Sequence, residues 1–172
     1  MPISASPTLM NQALAGNAKA QLQLAETYMQ SKNEEDQILA EEWALKSAQN
    51  GYVEAMYWLG EGYTDYAKSL IDEDPEEAQT YFEYAYDWLT QASEQNHAAA
   101  ILELAGYYRR GNVVEKDLKK SVQLVEKSAH LGDLQAMRDL ACIYEYGLGV
   151  DINEEQAQFW HNQAQKNENK PI

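Results

Sequence analysis

A Leu followed by a small residue, with a Tyr four positions after the Leu, occurs four times in this chain. The copies are Leu24-Ala25 with Tyr28, Leu59-Gly60 with Tyr63, Leu104-Ala105 with Tyr108, and Leu140-Ala141 with Tyr144. The steps from Leu to Leu are 35, 45 and 36 residues. A second spacing repeats beside the first: Trp43 to Met56, Trp88 to Ile101 and Leu124 to Met137 are each 13 residues. Periods in this range mean helical hairpins that bury their apolar faces on one another, because one hairpin cannot bury its own.

The stretch from Ala40 to Tyr63 shows the unit at residue level. Ala40, Trp43, Ala44, Ser47 and Ala48 share one face at helical spacing. Asn50-Gly51 supplies a left-handed stop. Met56, Leu59, Gly60 and Tyr63 mark the inner face of the next helix. Large residues alternate with small ones (Trp43 with Ala44, Leu59 with Gly60), which lets two helices cross closely. Ahead of the first copy, Thr8 to Ala15 reads as a half-unit that caps the open end of the stack. Asn17 reads as a helix cap. So does Asn33, with the Asp36 carboxylate three residues on. The Tyr-to-Trp interval is 25 residues from Tyr63 to Trp88, against 15 from Tyr28 to Trp43 and 16 from Tyr144 to Trp160. About nine residues are therefore inserted within Thr64 to Tyr84. Asp74 as cap and Pro75 at the first helical position predict a long, aromatic-rich helix from there to about Gln95.

Taken together, these residues resemble the Sel-one-like repeat (SLR) family, kin of the tetratricopeptide repeats, over about residues 18 to 165. The resemblance implies an all-α, right-handed α-solenoid of about four helix-turn-helix repeats with an N-terminal capping half-repeat. The chain then reads as one repeat domain over 1–172, with repeats at about 18–52, 53–97, 98–132 and 133–165 and a frayed polar tail over 166–172. The departures are specific. The usual Gly after the Leu is Ala in three copies, Leu124 replaces Trp in the third, and the Gly-Leu-Gly-Val loop survives at Gly147 to Val150 alone.

Charge is distributed unevenly. The net charge is −15, and residues 31–100 hold 16 acids against Lys32, Lys46 and Lys68. Such a field repels nucleic acid and anionic membrane and steers in a basic protein. No apolar run reaches the ~20 residues needed to span a bilayer. The start, MPISASPTLM, lacks the basic and apolar regions of a secretory signal. The sole cysteine, Cys142, fits a reducing cytoplasm.

The family resemblance implies protein–protein scaffolding rather than catalysis. By likeness to the tetratricopeptide groove, the inward positions are Leu22, Glu26 and Met29; Tyr57, Glu61 and Thr64; Leu102, Gly106 and Arg109; Arg138, Cys142 and Glu145. The register residues Tyr28, Tyr63, Tyr108, Tyr144, Trp43, Trp88 and Trp160 are expected in the core. The other aromatics, Tyr52, Tyr57, Trp58, Tyr66, Tyr81, Tyr84 and Tyr86, fall among the carboxylates, where they suit a basic, amphipathic ligand. The expected binding residues are Glu26, Met29, Glu54, Tyr57, Trp58, Glu61, Asp65, Tyr84, Arg109 and Arg138. The expected partner is a basic protein. An alternative from size and charge is an immunity protein that neutralises a secreted toxin. A minor alternative is an enzyme using a carboxylate acid/base pair, although no phosphate loop, nucleophile elbow or metal box is present. No cofactor is expected. His97, His130 and His161 lack metal spacing, and Asp72 to Glu77 has Pro75 and no Gly, so it reads as a helix start rather than a calcium loop.

Overall fold

Polar caps and left-handed turns divide the chain into helices. The computed structural model describes residues 6–168. Among these are nine helices and no strand: α1 Pro7–Leu14, α2 Ala18–Met29, α3 Glu34–Gln49, α4 Val53–Leu70, α5 Pro75–Glu94, α6 Ala98–Arg110, α7 Leu118–His130, α8 Leu134–Tyr146 and α9 Glu154–Glu168. Side chains accept from first-turn amides at most helix starts. Asn17 accepts from the Ala20 amide at 3.0 Å, Asp74 from Glu77 at 2.9 Å, Asp117 from Lys120 at 2.8 Å and Asp133 from Ala136 at 2.7 Å. Each cap satisfies one amide that the helix itself leaves unpaired. The turn between hairpins holds one left-handed residue each time: Gly16, Gly51, Asn96 and Gly132.

Helices α2/α3, α4/α5, α6/α7 and α8/α9 form hairpins 1 to 4, each packed on the next, with α1 on α2. The molecule is an all-helical solenoid, as the periodicity predicts. The half-unit α1 is fixed by a buried polar link. Gln21 donates to the Ala13 carbonyl at 3.0 Å and accepts from Asn50 at 2.9 Å. Within hairpins 1 and 3 a buried serine ties the helices together: Ser47 donates to the Ala18 carbonyl and Ser128 to the Ala98 carbonyl.

The crossing of α4 and α5 rests on a missing side chain. A Cβ at Gly60 would lie 2.6 Å from Leu89 Cγ, and Leu89 is fully buried. The same register positions hold Ala25 and Ala44 in hairpin 1 and Ala105 and Val125 in hairpin 3, all buried. Complementary sizes keep the crossings close.

Four expectations are refined. The insertion lengthens both helices of hairpin 2, to 18 residues in α4 and 20 in α5, around a short turn. Trp43 and Trp160 are buried, but the register tyrosines are half-buried, and the hydroxyls of Tyr63, Tyr108 and Tyr144 latch adjacent hairpins. Tyr63 donates to Glu41 at 2.5 Å, Tyr144 to Glu126 at 2.6 Å, and Tyr108 pairs with Tyr86 at 3.3 Å. The Glu126 hydrogen bond, with burial, pushes Tyr144 up to about 12. The most deeply buried tyrosine is instead Tyr107, bonded to Thr64 at 2.7 Å and set edge-on to Phe82 and Tyr86. Asn33 accepts from the Glu35 amide, and Asp36 Oδ2 is buried without a partner, so the reciprocal cap does not close. Lys166 to Glu168 remain helical in α9 rather than frayed. The leader reading of residues 1–5 and the tail reading of residues 169–172 fall outside the described residues.

Candidate protein-binding surface

The first helices of the hairpins, α2, α4, α6 and α8, carry the candidate residues. On α4, Glu54, Tyr57, Trp58, Glu61 and Asp65 recur at intervals of three and four, so they share one side of that helix. Tyr57 and Trp58 are half-buried, while the three carboxylates are exposed. Tyr57 stacks on His97, with ring centroids 4.6 Å apart, and its hydroxyl donates to Glu61 at 3.0 Å. His97 in turn caps α6, its Nδ1 accepting from the Ala100 amide at 3.2 Å.

The electrostatics of this spot trace a stripe of negative charge across the hairpins. Burial, the hydrogen bond to Glu61 and the charges of Glu61, Glu103 and Asp133 all push the Tyr57 hydroxyl well above the ordinary tyrosine range. Glu54 and Asp133 also act on His97, where burial prevails and lowers its pKa. Glu54 and Glu26 act on Tyr52 after burial and raise it. The stripe therefore runs from Glu26 on α2 through Glu54 and Glu61 to Glu103 on α6 and the Asp133 cap of α8. It borders a stacked aromatic pair.

A second feature adjoins the stripe. Between hairpins 3 and 4 lies a cleft of about 800 Å³, with Leu102, Gly106, Arg109, Val125, Cys142 and Ile143 in its walls. Lys68, from the extended end of α4, reaches its rim. Glu103 sits where cleft and stripe meet. Burial raises its pKa, against the opposing pull of Lys68 and Arg110.

The remaining expected residues disperse. Met29 is exposed at the end of α2, and Asp65 pairs with Lys68 at 2.8 Å. Tyr84 belongs to a separate aromatic cluster with Tyr63, Tyr66 and Tyr81, at centroid distances of 4.6 to 6.1 Å. Tyr63 and Tyr66 lie across α4 from Tyr57 and Glu61. Arg109 lines the cleft, whereas Arg138 is held by Glu168 of α9, outside it. Of the other inward positions, Leu22 and Thr64 are buried, and Glu145 pairs with His161 at 3.6 Å. Sequence reasoning missed Glu103, Asp133 and His97 as parts of the surface. His97 and Asp133 were signalled as the caps of α6 and α8, whereas Glu103, in the middle of α6, carried no such signal.

Among the described residues no group of three His, Cys, Asp or Glu could hold a metal ion. In the same residues no helix is long and apolar enough to cross a membrane.

Comparison with known proteins agrees with this architecture. The Sel1 repeat matches residues 18–52, 53–97, 98–133 and 134–166. An exopolysaccharide production negative regulator of Rhizobium meliloti (strain 1021) is 32% identical over 127 residues, 70% of this chain and 47% of that protein. A chitin synthase regulator of Saccharomyces cerevisiae is 28% identical over 137 residues, 78% of this chain and 18% of that protein. The chain thus spans less than half the length of the curated relatives it matches. Among solved structures, a protective antigen present in uropathogenic Escherichia coli strains superposes with a TM-score of 0.79 at 26% identity, over 96% of this chain and 34% of that one. A Sel1 repeat protein from Oxalobacter formigenes gives a TM-score of 0.76 at 22% identity, over 92% and 62%, a likeness of fold. Sel1 repeat proteins typically mediate protein–protein interaction and regulation. Four matched repeats over most of the chain, on a solenoid of stacked hairpins, place it in the Sel1 repeat family.

Proposed function

We propose that this chain is a non-enzymatic, cytoplasmic interaction module that grips a basic segment of a protein partner along the acidic stripe. Tyr57 and Trp58 are the anchors, and Glu26, Glu54, Glu61 and Asp65 supply the complementary charge. The observation that carries this reading is the convergence of Glu54, Glu61, Glu103 and Asp133 on the stacked Tyr57–His97 pair. Tyr and Trp are enriched among interface hot spots, and polar residues form the rim around them. That the named relatives are regulators of other activities supports an adaptor role.

The test is affinity capture of a partner from the native host, followed by titration of its basic segment. Replacing Tyr57 and Trp58 with Ala weakens binding by about 2 kcal/mol or more while the helical circular dichroism is retained. Association also slows steeply as salt rises to about 0.5 M, because screening shortens the reach of exposed charge. An on-rate indifferent to salt, or a partner segment without cationic residues, would refute the proposal.

A further inference from the structure

The inserted length of hairpin 2 carries an aromatic cluster that folding alone leaves half open. Tyr66 comes seven residues after its motif Leu, whereas α2, α6 and α8 end five or six residues after theirs, so the other hairpins have no first-helix position at that level. Tyr63 and Tyr66 lie three apart on α4, and Glu77, Tyr81 and Tyr84 lie four and three apart on α5, so each set shares one side of its helix. Tyr81 sits in the middle. Its ring meets Tyr66 at 4.6 Å and 83°, and Tyr84 at 5.9 Å and 89°. Tyr63 closes the group, tilted against Tyr81 and Tyr84, and its hydroxyl ties it to Glu41 of α3. Tyr66 and Tyr84 remain 47% and 51% exposed. The charge around the cluster is almost all of one sign. From Tyr63 to Tyr84 the chain holds seven acids against one base, and that base, Lys68, is bound to Asp65. Lys46, the base of α3, lies over Trp43 beside Glu42. Burial raises the Tyr81 pKa, and Tyr66, Glu77, Glu41 and Tyr84 raise it further, so the Glu41 and Glu77 carboxylates both act on the central ring.

We propose that this cluster binds an arginine-bearing segment of a protein partner. A guanidinium lies on the exposed rings of Tyr66 and Tyr84 and pairs with Glu77, and Glu41 adds charge from α3. A planar, weakly hydrated guanidinium stacks on aromatic faces and pairs with a carboxylate through two parallel hydrogen bonds, which a lysine ammonium cannot do. The tyrosine face attracts the cation as well. The local excess of acids argues against other occupants. A second copy of this chain would bring charge of the same sign, and nucleic acid or an anionic bilayer would be repelled. The four rings give the contact an apolar floor with carboxylates at its margin, which sets it apart from a solvated acidic face. The inference uses the opposite side of α4 from Tyr57 and stands whether or not a basic segment binds the stripe.

The test maps where a peptide lands on the full chain. The probe is an end-blocked nonapeptide of alternating Arg and Ala, with a Lys/Ala peptide of equal charge as its counterpart. Nitration by tetranitromethane, located by mass spectrometry, reports on the exposed tyrosines one by one. The Arg/Ala peptide slows nitration of Tyr66 and Tyr84 and leaves Tyr146, 64% exposed at the end of α8, at its free rate. Half-protection takes about threefold or more of the Lys/Ala peptide, because an ammonium is more strongly hydrated and cannot stack. In Glu77→Gln, and in Tyr84→Ala followed at Tyr66, half-protection by the Arg/Ala peptide also takes about threefold or more. Both side chains are exposed, so the fold survives their loss. Tyr84→Phe, which keeps the ring, shifts the value by less than about twofold. Three results would overturn the proposal: equal half-protection by the two peptides, no shift in Glu77→Gln and Tyr84→Ala, or equal slowing at Tyr146. Calorimetric binding of the Arg/Ala peptide while Tyr66 and Tyr84 react at their free rates would rule out the cluster and leave the acidic stripe as the site. Self-association in the absence of peptide, abolished by Tyr66→Ala/Tyr84→Ala, would rule it out in favour of a second copy of this chain.

Discussion

Hairpins 2 and 3 are neighbours built on the same register, yet they present opposite surfaces. Hairpin 2 is tall, filled and acidic. Its helices extend past their counterparts; its tyrosines meet edge-on or tilted on one side, and Tyr57 stacks on His97 on the other. Hairpin 3 is short and carries more bases than acids, and a cleft lined by charges of both signs opens beside it. The residues that hold the two hairpins in the stack are of the same kinds, while the residues that face outward differ in size and sign. A repeat array can therefore change what it binds from one hairpin to the next without changing how it folds.

The largest expected effect lies at the seam between these two hairpins. Tyr107 is fully buried and bonded to Thr64 across that seam. Tyr107→Ala should destabilise the protein by about 3–5 kcal/mol, the usual range for removing a buried aromatic. Denaturant unfolding followed by circular dichroism measures this. A loss under about 1 kcal/mol would mean that the seam does not depend on Tyr107. A smaller effect is expected inside hairpin 2. Gly60→Ala forces a methyl against Leu89 and should cost about 1–3 kcal/mol. Gly60→Ala with Leu89→Ala recreates the Ala25–Ala44 pair of hairpin 1, so the double variant should be more stable than the sum of the single effects by at least about 0.5 kcal/mol. Strict additivity would remove size complementarity from the account.

The smallest effect concerns the cap that joins the two hairpins. Burial lowers the His97 pKa, so folding favours its neutral form, whose Nδ1 accepts from Ala100. The stability contributed is complete above the unfolded histidine value of about 6.5 and is lost as pH falls through the lower folded value. Loss of one cap is worth about 0.5–1 kcal/mol. His97→Asn, which caps without titrating, should flatten the fall in melting temperature between pH 7 and pH 5. An unchanged slope would show that His97 is not the titrating group.

The hairpins were legible in the sequence because Leu24, Leu59, Leu104 and Leu140 and their following small residues recur at fixed spacing. The inserted length was legible from the 25-residue step between Tyr63 and Trp88. Its distribution over both α4 and α5 was not, because spacing counts residues without saying which side of a turn takes them. The acidic face of α4 could be read from its helical intervals. The addition of Glu103 and Asp133 to that face could not, since it depends on how α6 and α8 lie beside α4. Arg138 was expected in the groove because register alone places it there. A carboxylate on α9, 30 residues away, draws it out. The cleft was least visible of all, because it depends on how α6, α7 and α8 lie beside one another.

The tyrosine latches between hairpins have a consequence for recognition. Each seam is packed inside and closed at its edge by a hydroxyl, so the surface along α2, α4, α6 and α8 has its shape before any partner arrives. A flexible segment that settles there gives up its own conformational freedom, but the receptor gives up almost none. Most of the entropic penalty of association then falls on the guest.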